Sequence, residues 1–208
     1  MVKELIGGFA SCPCLMYSVD FAEVEKLQHA GDWDALSELM ADAARRLHRG
    51  GADLIVLCTN TMHLCSEAIT EAVPVPFLHI ARATGKRIAS QGLKTVGLLG
   101  TRFTMEKDFY KKKLSEDHGI RTLIPDPDQR EAVHKIIYEE LVKGEIREES
   151  REAFKDVISS LSERGAEGVI LGCTEIPLLI SSEDVEIPVF DTTRIHVEEA
   201  VNWAMTHP

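Results

Sequence analysis

The chain writes one pattern twice. Residues 51–62 read GADLIVLCTNTM and residues 165–176 read GAEGVILGCTEI. Each begins on Gly-Ala, runs through an apolar stretch and ends on Cys-Thr. The match extends outward on both sides. DALSELMADAARRLHRGGADLIVLCTN (34–60) parallels EAFKDVISSLSERGAEGVILGCTE (152–175), and VPFLHIAR (75–82) parallels IPVFDTTR (187–194). A helical period, a continuous apolar run and a second short strand, in that order, imply a parallel sheet covered by helices. The expected fold class is α/β, with two similar α/β units related by pseudo-two-fold symmetry. The expected domains are 1–93 plus 191–208 and 94–190.

Local signals fill in the elements. PCLMYSV (13–19) reads as a strand. Asp20 caps a helix that stops at Gly31. Residues 32–51 form a second helix, with Trp33, Leu36, Leu39, Met40, Ala43 and Leu47 at helical spacing and Gly50-Gly51 at its end. DLIVLC (53–58) is a buried parallel strand, 59–72 a helix, 75–80 a strand and 81–92 a helix. The second half adds a strand at 95–100, a helix at 105–119, a strand at 121–125 and helices through 127–144 and 148–165. Strands at 168–173 and 186–191 and a closing helix at 193–205 complete it. The second half thus opens with strand, GT loop and helix, whereas the first has no such opening. Its counterpart to RTLIP (121–125) is PCLMYSV, and MVKELIGG reads as a last helical turn ended by glycines. Symmetry therefore expects one strand and most of one helix to be absent from the first half.

Composition excludes several classes. A formal charge of −11 argues against a nucleic-acid partner. No apolar run approaches the roughly 18 residues of a membrane span, and MVKEL is no signal peptide, so a cytoplasmic location is expected. Five cysteines in such a chain suggest thiols, not a disulfide framework. Cys12 and Cys14 form a C-x-C pair without further ligands nearby, so no metal site is expected. Without a GxGxxG or Walker pattern, no nucleotide cofactor is expected either.

The repeat puts Cys58 and Cys173 each at the carboxyl end of a buried strand, before a polar Thr and a helix. Ligands of open α/β sheets bind outside those strand ends. Helix N-termini favour a thiolate there, and Thr59 and Thr174 can cap or donate. Two thiols facing each other suit inversion at carbon. One, ionised, removes the α-proton, and the other, protonated, returns a proton to the opposite face.

At these motifs the chain resembles the aspartate/glutamate racemase family, which uses no pyridoxal phosphate. CTNTMH (58–63) and GCTE (172–175) are similar to its two cysteine signatures. SVDF (18–21), LGTRFTM (99–105) and IPVFDT (187–192) resemble its broad-specificity amino-acid racemases. The resemblance implies two α/β domains with the active site in the cleft between them, and Cys58 and Cys173 as the acid/base pair. It implies a substrate cradle from Thr59, Asn60 and Thr61, a second from Thr174 and Glu175, and crevice contacts from Thr101 and Thr104. Arg130 is the expected partner of a substrate carboxylate. His63, His79, Asp191 and His196 are weighed as crevice-lining or structural. No cofactor is implied, the partner is a small amino acid or dicarboxylate, and a homodimer is expected. The family usually opens with a strand and a GGMS-type loop, which this chain lacks. Alternatives are a hydantoin racemase, a maleate isomerase-like enzyme, or an inactive paralogue that only binds a dicarboxylate.

Overall fold

The computed structural model describes residues 1–207. By their contacts these divide into two units. The first comprises residues 1–57, 62–79 and 197 onward; the second comprises Cys58–Thr61 and Ile80–His196. Among the described residues, no helix is long and apolar enough to cross a membrane.

The first unit carries helices α1 (Val2–Ile6), α2 (Phe21–Ala30), α3 (Trp33–Arg49) and α4 (Ser66–Ala72), with strands β1 (Ile55–Val56) and β2 (Phe77–Leu78). The strands pair in parallel, Ile55 opposite Phe77 and Val56 opposite Leu78. Caps set the helix starts, the one at Asp20 as the sequence leads one to expect. Asp20 accepts from the Ala22 N–H at 3.0 Å, and Asp32 accepts from the Ala35 N–H at 3.0 Å. Gly31 ends α2 in the left-handed conformation, φ 71°. The apolar stripe of α3 (Leu36, Met40, Ala44) packs with Ile55 of β1, Met62, Cys65, and Ile69 of α4.

PCLMYSV is not a strand. Residues 13–19 have no regular structure, and Leu15, Met16 and Tyr17 are exposed. The reason is pairing. In the second unit RTL (121–123) is a strand because it bonds to 95–97. Among the described residues the first unit has no equivalent of that neighbour, and a lone apolar segment satisfies its backbone with water instead. The glycine stop after MVKELI is as expected: Gly7 and Gly8 both have positive φ, 82° and 61°.

The second unit is built on β3 (Thr95–Gly100), β4 (Arg121–Leu123), β5 (Val169–Gly172) and β6 (Val189–Asp191). All are parallel, in the order β4-β3-β5-β6. The strands alternate cleanly. Leu99, Val169 and Leu171 pack with α8 (Pro127–Glu139) and α9 (Glu148–Glu163), while Val96, Leu98, Ile170 and Phe190 pack with α5 (Ile80–Ser90) and α7 (Asp108–His118). Both sheet faces are thus covered, which is why β3 and β5 read as continuous apolar runs. The Glu167 carboxylate accepts from the Lys94 and Thr95 amides, each at 2.7 Å, and clamps the start of β5 to the start of β3. Those two bonds hold its pKa below the usual carboxylate value.

Helix α5 follows β2, yet its buried Ile80, Ala81, Ala83 and Ile88 are covered by the second sheet. Helix α6 (Arg102–Glu106) follows β3, and α10 (Thr192–Thr206) follows β6, with residues 192–196 in the second unit. The helix expected at 105–119 is therefore two, α6 and α7, divided at Lys107, which has extended backbone. That expected at 59–72 begins as a 3-10 turn, Thr61–Cys65, before α4.

Candidate active site

Strand β5 ends at Gly172, and Cys173 is the next residue. Gly172 has to be glycine because β3 runs so close: a Cβ there would lie 2.7 Å from the Leu99 carbonyl oxygen. The same holds across the pair at Gly100, whose Cβ would meet the Gly172 carbonyl at 2.8 Å. Close backbone approach thus delivers Cys173 to the end of the central strands beside the β3–α6 loop.

Cys173 is buried, at 8% exposure, and its thiol donates to Glu175 Oε2 at 2.9 Å. Burial first, then the charge of Glu175 and that hydrogen bond, push the thiol pKa well up. The Glu175 and Thr174 backbone amides pull the other way without prevailing. Burial and the Glu175 carboxylate both favour the protonated form of Cys173. The sequence reading made Glu175 a substrate contact; in the structure its carboxylate is engaged by Cys173.

Cys58 lies two residues after β1 and is exposed. The segment it opens, Cys58–Thr61, belongs by its contacts to the second unit. Two anchors explain this. The Thr61 hydroxyl meets those of Thr101 at 3.0 Å and Thr104 at 3.2 Å, and these two are 3.3 Å apart. Further along, Asn60 Nδ2 donates to Thr192 Oγ1 at 3.0 Å, and Thr192 Oγ1 donates to the Leu171 carbonyl at 2.8 Å. Leu171 is two residues before Cys173. A path of two hydrogen bonds therefore joins the Cys58 segment to the strand that carries Cys173.

The structure thus brings together Asn60, Thr61, Thr101 and Thr104, all buried. Thr104 is wholly buried and touches the other two hydroxyls, so it positions them. Thr59 and Thr174 are half-buried next to their cysteines. Arg130, on α8, donates from Nε to Glu106 at 2.9 Å and from Nη1 to the Pro125 carbonyl at 2.7 Å. Its charge is thus matched by a carboxylate of the protein itself. Asp191 caps α10, accepting from the Thr193 and Arg194 amides at 2.9 and 3.1 Å. His63 and His79 are buried in the first unit, their rings edge to face at 4.7 Å. His196 is buried in the second unit.

Thr192 went unrecognised from sequence. The signal was present in the repeat: Thr192 stands where the first copy has Ile80, so a hydroxyl occupies a buried apolar position. All five cysteines are thiols, none in a disulfide, and Cys12 and Cys14 are exposed. Among the described residues, no group of three His, Cys, Asp or Glu side chains could hold a metal ion.

The chain matches known proteins over nearly its whole length. Residues 2–200 fit the profile of the Asp/Glu/hydantoin racemase family. The chain belongs to that family. Among its relatives is RacX of Bacillus subtilis, a broad-specificity amino-acid racemase, 29% identical over 85% of this chain and 75% of RacX. A Yersinia pestis protein assigned as an Asp/Glu racemase is 50% identical, with a TM-score of 0.92 over 98% of this chain and 89% of that one. An aspartate racemase homologue of Pyrococcus horikoshii is 35% identical, with a TM-score of 0.83 over the same shares of the two chains. Membership of the Asp/Glu/hydantoin racemase family agrees with the parallel α/β sheets and with the resemblance carried by CTNTMH and GCTE.

Proposed function

We propose that the chain is a cofactor-independent amino-acid racemase acting on an acidic or broadly chosen α-amino acid, with Cys58 and Cys173 as its two proton-transfer groups. The observation that carries this reading is the buried thiol of Cys173, hydrogen-bonded to Glu175 and tied through Leu171, Thr192 and Asn60 to the segment of Cys58. A racemase needs a base on one face of the α-carbon and an acid on the other. Cys58, as thiolate, takes the α-proton. The electron pair left on carbon delocalises into the carboxylate as an enolate-like charge. Cys173 then delivers its S–H proton to the opposite face and becomes the thiolate. The reverse direction exchanges the roles.

Hydroxyl and amide donors are suited to the developing negative charge. Thr59, Thr61, Thr101 and Thr174 are the candidates, with Thr104 behind them. Each copy of the repeat supplies one thiol in this reading, Cys58 from the first and Cys173 from the second, and by their contacts both lie in the second unit. A homodimer is part of the proposal, and light scattering at working concentration checks it.

The test is incubation with L-aspartate, L-glutamate and a panel of other L-amino acids in deuterated water. Deuterium at Cα together with the D-isomer is expected for at least one of them. Absence of both across the panel, with turnover of a hydantoin or of maleate, would instead place the chain with the other members of its superfamily. Stabilisation by a dicarboxylate without any turnover would make it a binding protein.

A further inference from the structure

Asn60 is 3% exposed, and its two amide ends are treated differently. Nδ2 donates to Thr192 Oγ1 at 3.0 Å, whereas Oδ1 is closed to solvent and has no hydrogen-bond partner among the described residues. A buried carbonyl oxygen in that state calls for a donor. The orientation of the amide follows from chemistry. Leu171 offers a carbonyl oxygen, which can only accept, so the single O–H of Thr192 is committed to it at 2.8 Å. Thr192 Oγ1 is then left with lone pairs alone and can only receive an N–H. A flipped Asn60 would set two oxygens with no proton between them. Thr192 therefore fixes which end of the Asn60 amide is left without a protein donor.

We propose that Thr192 is a positioning residue that locks the Asn60 carbonyl oxygen in place to accept from the α-ammonium group of the substrate. This rests on the racemase reading above and deepens it. The site would select ligands carrying an amine on the reacting carbon, against dicarboxylates that carry only acceptors. Thr192 itself touches no substrate. It acts through Asn60, two residues from Cys58.

The experiment compares wild type, Thr192→Val and Thr192→Ser. Two probes are used: L-aspartate, or whichever L-amino acid the enzyme turns over best, and succinate as a competing dicarboxylate without an amine. Val keeps the shape and removes the hydroxyl. Losing an orienting contact to a charged group predicts a KM for the amino acid raised by about tenfold or more. Succinate inhibition is expected to stay the same within about twofold, because its groups do not use the Asn60 oxygen. Thr192→Ser is expected to restore the amino-acid KM. If Val prevents folding, Thr192→Ala carries the same comparison without a branched side chain. A variant that weakens amino acid and succinate by the same factor, or that changes neither, overturns the assignment of Thr192 while leaving the racemase standing. A wild-type chain that binds succinate but no amino acid overturns both.

Discussion

At the scale of single residues, Cys173 and Glu175 make the sharpest statement. A carboxylate 2.9 Å from a buried thiol opposes ionisation of that thiol. Replacing Glu175 with Gln removes the charge and keeps the shape. The Cys173 pKa should fall. In the direction where Cys173 donates the proton, activity is lost as pH rises through that pKa, so the alkaline limb of kcat/KM should move to lower pH. A pH profile in both directions checks this, and an unmoved limb would count against Cys173 as the acid. Residue-level reading of the sequence found both thiols because the repeat marked them. The resemblance implies Glu175 as a substrate contact; that its carboxylate accepts from Cys173 is a pairing spacing alone does not name. Residue-level reading missed Thr192 because the bond to Asn60 spans 132 positions along the chain.

At the scale of elements, the β3–β5 contact sets where Cys173 emerges. Gly100 and Gly172 face each other backbone to backbone, so neither tolerates a Cβ without parting the strands. Gly172→Ala is expected to cost about 1–3 kcal/mol, in the range of overpacking a tight interior. It should also lower turnover by shifting Cys173. Gly97→Ala is the contrast. A Cβ there would meet the end of Leu161, Cδ1 at 2.9 Å, a side chain that can turn away. Thermal unfolding of both variants should therefore rank Gly172→Ala as the more damaging; the reverse order would contradict the packing account. Elements with a local signature were legible in the sequence. The Asp20 cap, the Gly31 stop and the apolar runs of β3 and β5 are of that kind. PCLMYSV was misread because a short apolar run signals a fit to a sheet but supplies no neighbour to pair with. The β1 run DLIVLC shortens to two residues for a related reason, having one partner, β2, where β5 has two.

At the scale of the whole molecule, six parallel strands among the described residues, divided two and four, are joined to a chain with an acidic balance. Its alkaline stability should reflect buried protonated groups. Tyr110 is wholly buried and donates to Thr84 at 3.2 Å; burial pushes its pKa far above the ordinary value, the Thr84 bond opposing. Cys173 is raised as well, burial again the main cause. Groups whose folded pKa is raised keep their protons in the native state while the unfolded chain loses them. Stability is therefore full below the ordinary thiol and phenol values, about 8.5 and 10, and declines as pH rises past them. Denaturant titrations at pH 7 and pH 10.5 should show that decline, smaller in Tyr110→Phe; a flat profile would contradict it. The α/β class and its parallel strands were legible from the repeat, while the placing of α5 on the second sheet was not, because the apolar face of a helix does not name the sheet that covers it. The account turns on two thiols acting from opposite sides of one carbon, and isotope exchange by the single-cysteine variants tests this most directly. Cys58→Ala and Cys173→Ala should each lose racemisation by about 10²–10⁴-fold. Each should still exchange the α-hydrogen of one enantiomer with deuterated water, and the two variants should select opposite enantiomers. Racemisation at the wild-type rate by either variant, or exchange of the same enantiomer by both, would contradict the account.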